Sequence, residues 1–178
     1  MRGWFAHALE GHRRIVFVTG EPGIGKTTFV RAFLSSIPRQ QPVRIGCGEC
    51  IEQYGAGEPY MPVCEALTRL VQETDGDRVL EILRTFAPTW LAQMQSLLNE
   101  AERGKLTAAA QPVTQQRMLR EMAQTLEALT GHWPLVLFLE DLHWSDVSTI
   151  ELISAIARRT EPARLLIVGT YRPVEILG

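Results

Sequence analysis

Two short stretches carry the residue types that do chemistry. The first, Gly20-Glu21-Pro22-Gly23-Ile24-Gly25-Lys26-Thr27, fits G-x-x-x-x-G-K-[ST] without a mismatch and is followed by Thr28. Such a loop is a phosphate cradle. Its glycines allow torsions and close backbone approach that a Cβ forbids, so consecutive N–H groups can converge on phosphate oxygens. A helix beginning there adds its positive N-terminal end. Lys26 supplies a compact charge for the β- and γ-phosphates, and Thr27 offers a hydroxyl to Mg²⁺.

The second stretch is an apolar run, Leu135-Val136-Leu137-Phe138-Leu139, that ends in two acids, Glu140 and Asp141. Phosphoryl transfer to water needs a carboxylate for Mg²⁺ and a second group that orients the attacking water. Adjacent strand residues point to opposite faces. Past the last ladder bond the chain turns, however, and two successive acids can then both face the phosphates. Other reactive types are read as structural. Cys47 and Cys50 form a C-x-x-C, but no H-x3-5-H pairing completes a zinc set, and three cysteines without an export signal predict buried thiols. His143 and Trp144 are read as packing at a helix start. Tyr54 and Tyr60 can approach a base only if their glycine-rich loop folds back.

The elements that must hold these stretches follow from periodicity. Ile15–Val18 is a β-branched and aromatic run, predicted as a strand buried on both faces, and it feeds directly into the loop. Phe29, Val30, Phe33, Leu34 and Ile37 recur at helical spacing up to Pro38. A short helix over 2–10, with Trp4, Phe5, Ala8 and Leu9 on one face, leads the chain. Residues 44–47 make a weaker strand. From about 60 to 131 the reading is a helical insertion, with stripes over 63–71, 79–86 and 90–98 and a last helix over 118–129 that stops at Gly131. Thr89 is the expected N-cap of the third of these, and 103–116 the most linker-like segment. Asp146 can cap a helix running to about Arg159, and Leu165–Val168 is a last strand entering Gly169-Thr170-Tyr171-Arg172-Pro173. Strands alternating with helices predict an α/β fold with a mainly parallel sheet.

GEPGIGKTT, LVLFLEDLHWSD and LLIVGTYRP together resemble the AAA-like ATPase module of large bacterial regulators, in or near the signal-transducing STAND group. The resemblance covers nearly all of the chain. It implies a P-loop NTPase core of three layers, sheet order 5-1-4-3-2, with the helical insertion between strands 2 and 3. It also implies a Walker A at Gly20–Thr27, a Walker B at Leu135–Asp141, and a sensor in which Arg172 reads the γ-phosphate. The usual Walker B ends in Asp for magnesium and then Asp or Glu for water. Here Glu140 precedes Asp141, so either acid can hold the metal, and slow hydrolysis is the expectation. With strand 5 not in the sequence, a single domain over 1–178 that belongs to a longer protein is expected.

Adenine is the favoured base, because the N-K-x-D guanine reader and the L-S-G-G-Q signature are absent. The expected ligands are therefore ATP or ADP with Mg²⁺. The expected partners are other domains of the same longer chain (DNA-binding, cyclase or helical-repeat), and nucleotide-dependent self-association is compatible with the resemblance. A net charge of −2 over 178 residues argues against direct nucleic-acid binding by this segment. No apolar run is long enough to cross a bilayer, so a cytoplasmic protein is expected. The leading functional expectation is an ATP-binding, slowly hydrolysing regulatory switch. The alternative is a scaffold whose nucleotide is structural.

Overall fold

A computed structural model describes residues 1–38, 42–52, 58–101, 103–104 and 114–173. Four strands, β1 (Arg14–Thr19), β2 (Arg44–Glu49), β3 (Leu135–Glu140) and β4 (Leu165–Tyr171), form one parallel sheet in the order β1-β4-β3-β2. This is the order that the resemblance implied for these four strands. The helices are α1 (Arg2–Leu9), α2 (Lys26–Ser35), α3 (Met61–Val71), α4 (Gly76–Phe86), α5 (Pro88–Gln93), α6 (Gln115–His132) and α7 (Val147–Ala157).

Alternation along the strands divides the core in two. Val136, Phe138, Leu166 and Val168 face α1 and α2 in one apolar cluster with Phe5, Val30 and Phe33. Their neighbours Leu135, Leu137, Leu139, Leu165 and Ile167 face the other way, into a larger cluster built from α3 to α7. The period of 2 along buried parallel strands thus yields three layers, helix on sheet on helix. β3 is buried along its whole length because it has a strand on each side and helices on both faces.

β1 is less buried than its apolar run predicts. Among the described residues it pairs with β4 alone, the edge place that the order without strand 5 implied, and Phe17 is 48% exposed, with its ring edge-on to Tyr171. An apolar run does not reveal whether a strand will have two neighbours. Trp4, expected on the buried face of α1, is likewise exposed. β2 read as weak because of Gly46 and Gly48, yet those glycines let a helix lie directly on the sheet. A Cβ at Gly48 would sit 1.7 Å from the Pro62 carbonyl oxygen in α3.

The helical insertion differs in detail. Thr89 lies inside α5 rather than at its cap, and Ala87 holds the cap position. The Thr89 N–H (3.0 Å) and hydroxyl (2.8 Å) both donate to the carboxylate of Glu121 on α6, which Arg117 also binds. A residue 32 positions away therefore caps this helix. The stripe ending at Leu98 breaks after Gln93 into a 3-10 turn over Gln95–Leu97. α6 continues through Gly131 to His132, and α7 ends at Ala157, with Arg158 as its C-cap. Tyr54 and most of the 103–116 segment lie outside the described residues.

Candidate functional site

β1 delivers the chain to the phosphate loop at the C-terminal edge of the sheet. Gly23 (φ 77°) and Gly25 (φ 94°) adopt left-handed torsions there, and Gly25 is the N-cap of α2 without any side-chain acceptor. The first-turn amides of a helix have no intrahelical partner. Among the described residues no protein oxygen caps them, and they form an anion-binding end. The Lys26 side chain folds under the loop and donates to the carbonyls of Gly20 (2.8 Å) and Glu21 (2.9 Å). Its ammonium, on a residue only 9% exposed, is thereby fixed beneath the glycines. Glu21, Pro22, Ile24 and Thr28 are exposed on the rim.

β3 brings the acid pair to the same edge. The Thr27 hydroxyl donates to Oε1 of Glu140, and Arg31 Nη2 lies 3.2 Å from Oε2. Asp141 takes no part in that contact. It adopts a left-handed conformation (φ 54°, ψ 47°), unusual for a residue with a side chain, and its N–H donates to the Thr170 hydroxyl at the end of β4 (2.9 Å). This turn separates the two acids: Glu140 meets α2, and the Asp141 carboxylate lies 3.9 Å from Nδ1 of His143. Arg172, half-buried, follows β4 directly, because that strand runs on to Tyr171 instead of ending at Val168.

His143, read from the sequence as packing at a helix start, lies beside Asp141. Its side chain is 8% exposed, and among the described residues neither ring nitrogen has a hydrogen-bond partner. The separation from Asp141 exceeds hydrogen-bond range. Burial pushes its pKa below the ordinary histidine value, and Arg172 and Lys26 push the same way against Asp141. The lowered pKa favours the neutral ring, which has one N–H and one lone pair. Lys26, Asp141 and Arg172 all act electrostatically on this one imidazole, which brings the two predicted stretches and the end of β4 into one locale. The available signal was a histidine two places past an acid pair, but its burial depends on a turn the sequence does not encode visibly.

The donor chemistry at Thr27 and Glu140, one hydroxyl and one carboxylate beside a phosphate cradle, suits a hard cation that keeps water and phosphate oxygens for its remaining positions, as Mg²⁺ does. Among the described residues no group of three or more His, Cys, Asp or Glu could hold a metal by itself. Burial raises the thiol pKa of Cys50 and Cys64 to about 12 and raises that of Cys47, which disfavours the reactive thiolate at all three. Tyr60 is buried against Trp90 (ring centroids 4.7 Å apart) and belongs to the core. No helix among the described residues is long and apolar enough to cross a membrane.

The phosphate loop at the end of β1, an acid-tipped central strand and the 1-4-3-2 parallel order define a P-loop NTPase core. The family model of the AAA ATPase domain matches residues 3–168, and the chain belongs to that family. Membership makes it a nucleotide-binding module. Among solved structures it is similar to a chain in the structure of Drosophila ORC bound to AT-rich DNA and Cdc6, at 12% identity and a TM-score of 0.47, over 97% of this chain and 44% of that one. This chain thus spans less than half the length of that relative. No curated protein matches.

Proposed function

We propose that the chain is a Mg-ATP-binding switch module that hydrolyses ATP slowly and serves the other domains of a longer regulatory protein of the STAND type. The contact of Thr27 with Glu140, beside a loop whose carbonyls hold Lys26, carries this reading. It favours a division of labour that the Glu-Asp order left open. Glu140, with Thr27, holds Mg²⁺, which when bound screens the phosphate charge. Asp141, turned away from α2, orients the attacking water. The loop amides and Lys26 hold the phosphates, and Arg172 reads the γ-phosphate. His143, beside Asp141, has a ring nitrogen without a partner among the described residues to offer that carboxylate or the water. Calorimetry with Mg-ATP tests the binding. Losing the lysine's charge-assisted contact costs about 1.5–3 kcal/mol, so Lys26→Ala should weaken ATP about tenfold to a hundredfold. Equal affinity would end the proposal. Phosphate release that falls in Asp141→Asn while ATP affinity holds supports a switch that hydrolyses; no release from the wild-type chain leaves a nucleotide-bound scaffold.

A further inference from the structure

Both oxygens of Glu140 are engaged by a single helix. Thr27 donates to Oε1 and Arg31, four residues on, to Oε2. That spacing places the two donors on one face of α2. The Glu140 side chain is 11% exposed and that of Arg31 66%. A carboxylate so enclosed is costly unless its charge is met, and the guanidinium meets it from the solvent side. The chain also has a longer acid here than the position usually carries. Fixing one additional side-chain torsion costs conformational entropy, and a lone donor at Oε1 would leave the carboxylate free to swing about that contact.

We propose that Arg31 is a positioning residue for the magnesium site: by holding Oε2 it keeps Oε1 of the longer Glu140 side chain turned to Thr27, and so sets how much Mg²⁺ the site needs. The inference rests on the reading of Thr27 and Glu140 as the magnesium pair. The arrangement is that of a metal ligand oriented through its distal oxygen, and loss of such an outer partner costs about 10–100-fold in metal affinity. The exposure of Arg31 selects the low end of that range. A guanidinium that merely stood where a cation goes would act in the opposite sense, because its removal would lower the Mg²⁺ requirement.

The test uses the full chain with Arg31→Gln, Glu140→Asp and both together, titrating ATP binding at graded free Mg²⁺. Arg31→Gln should raise the Mg²⁺ needed for half-maximal binding about tenfold and leave ATP affinity in EDTA unchanged. In the Glu140→Asp background, where the shorter acid no longer reaches Arg31, the same substitution should shift it less than about twofold. An equal shift in both backgrounds, or a lowered requirement, overturns the proposal. Melting of the nucleotide-free chain supplies a second readout: Arg31→Gln should lower Tm by about 2 °C and be nearly silent beside Glu140→Gln, which carries no charge to meet. If the wild-type chain ignores ATP at every Mg²⁺ concentration, the magnesium reading fails. The melting cycle then decides alone whether Arg31 holds Glu140, and absence of coupling there overturns this inference.

Discussion

Replacing Asp146 by Ala should destabilise the chain more than loss of a helix cap alone. Its Oδ1 accepts the Thr149 N–H (2.9 Å) as the N-cap of α7, while Oδ2 accepts the Thr149 hydroxyl (2.5 Å) and the Tyr60 N–H (3.2 Å). Tyr60 is 4% exposed and left-handed (φ 65°), so its amide, at the start of α3, has little recourse to water. Loss of an Asp cap costs about 1 kcal/mol, and an orphaned buried N–H adds about 1–3 kcal/mol. The sum, about 3 kcal/mol, corresponds to a fall in Tm of roughly 6–12 °C for a chain of this size. Asp146→Asn separates the two parts. Its amide oxygen can still cap Thr149, but its NH₂ faces the Tyr60 N–H donor to donor, so it should lose the tie and keep the cap. Urea unfolding of the three chains at pH 7.5, with m unchanged, gives both numbers. An Ala variant within about 0.5 kcal/mol of wild type, or an Asn variant as damaged as Ala, would refute the two-segment role.

His143 makes stability depend on pH. Its folded pKa lies below the ordinary value of about 6.5, so the unfolded chain binds the proton more readily, and stability present above that pH should decline as pH falls below it. Unfolding free energies at pH 7.5 and 5.5 should differ less in His143→Gln than in wild type; an unchanged difference removes His143 as the cause. Glu121→Ala should cost about 2–3 kcal/mol, because it orphans the buried Thr89 amide and frees Arg117. Glu121→Gln, which keeps an acceptor, should cost less in the same thermal melts, and equal losses would show that charge alone matters there.

What could be read from the sequence was what lies within one turn or one strand. The phosphate loop is eight consecutive residues, and the apolar run before Glu140 reads as a strand whichever strands adjoin it. Asp146 is a cap by type and place, and its bond to Thr149 is local. What failed to show was set by partners distant in sequence. Phe17 is exposed on β1, which has one neighbour among the described residues; the order without strand 5 implied that edge, but no residue of β1 announces the exposure. Glu121 caps α5 from 32 residues away, so Thr89 looked like the cap it is bonded in place of. Gly46 and Gly48 weakened the apparent strand because their reason, the backbone of α3 laid against them, lies in another element.

The same distinction separates the two acids. On sequence they are neighbours with interchangeable chemistry, and a strand's alternation alone would put them on opposite faces. Two contacts from different parts of the chain break the tie. α2, starting at the phosphate loop, places Thr27 and Arg31 against Glu140, while β4 offers the Thr170 hydroxyl to the Asp141 amide and fixes the left-handed turn. Asp tolerates that conformation better than most side chains, whereas Glu has no short-chain hydrogen bond to support it. The order Glu then Asp thus has a physical logic: the longer acid reaches across to α2 from the strand end, and the shorter one takes the turn. Exchanging the pair would put Glu in left-handed backbone and leave an Asp too short to meet Arg31, so the swap should cost both stability and Mg²⁺ affinity even though it restores the commoner leading residue.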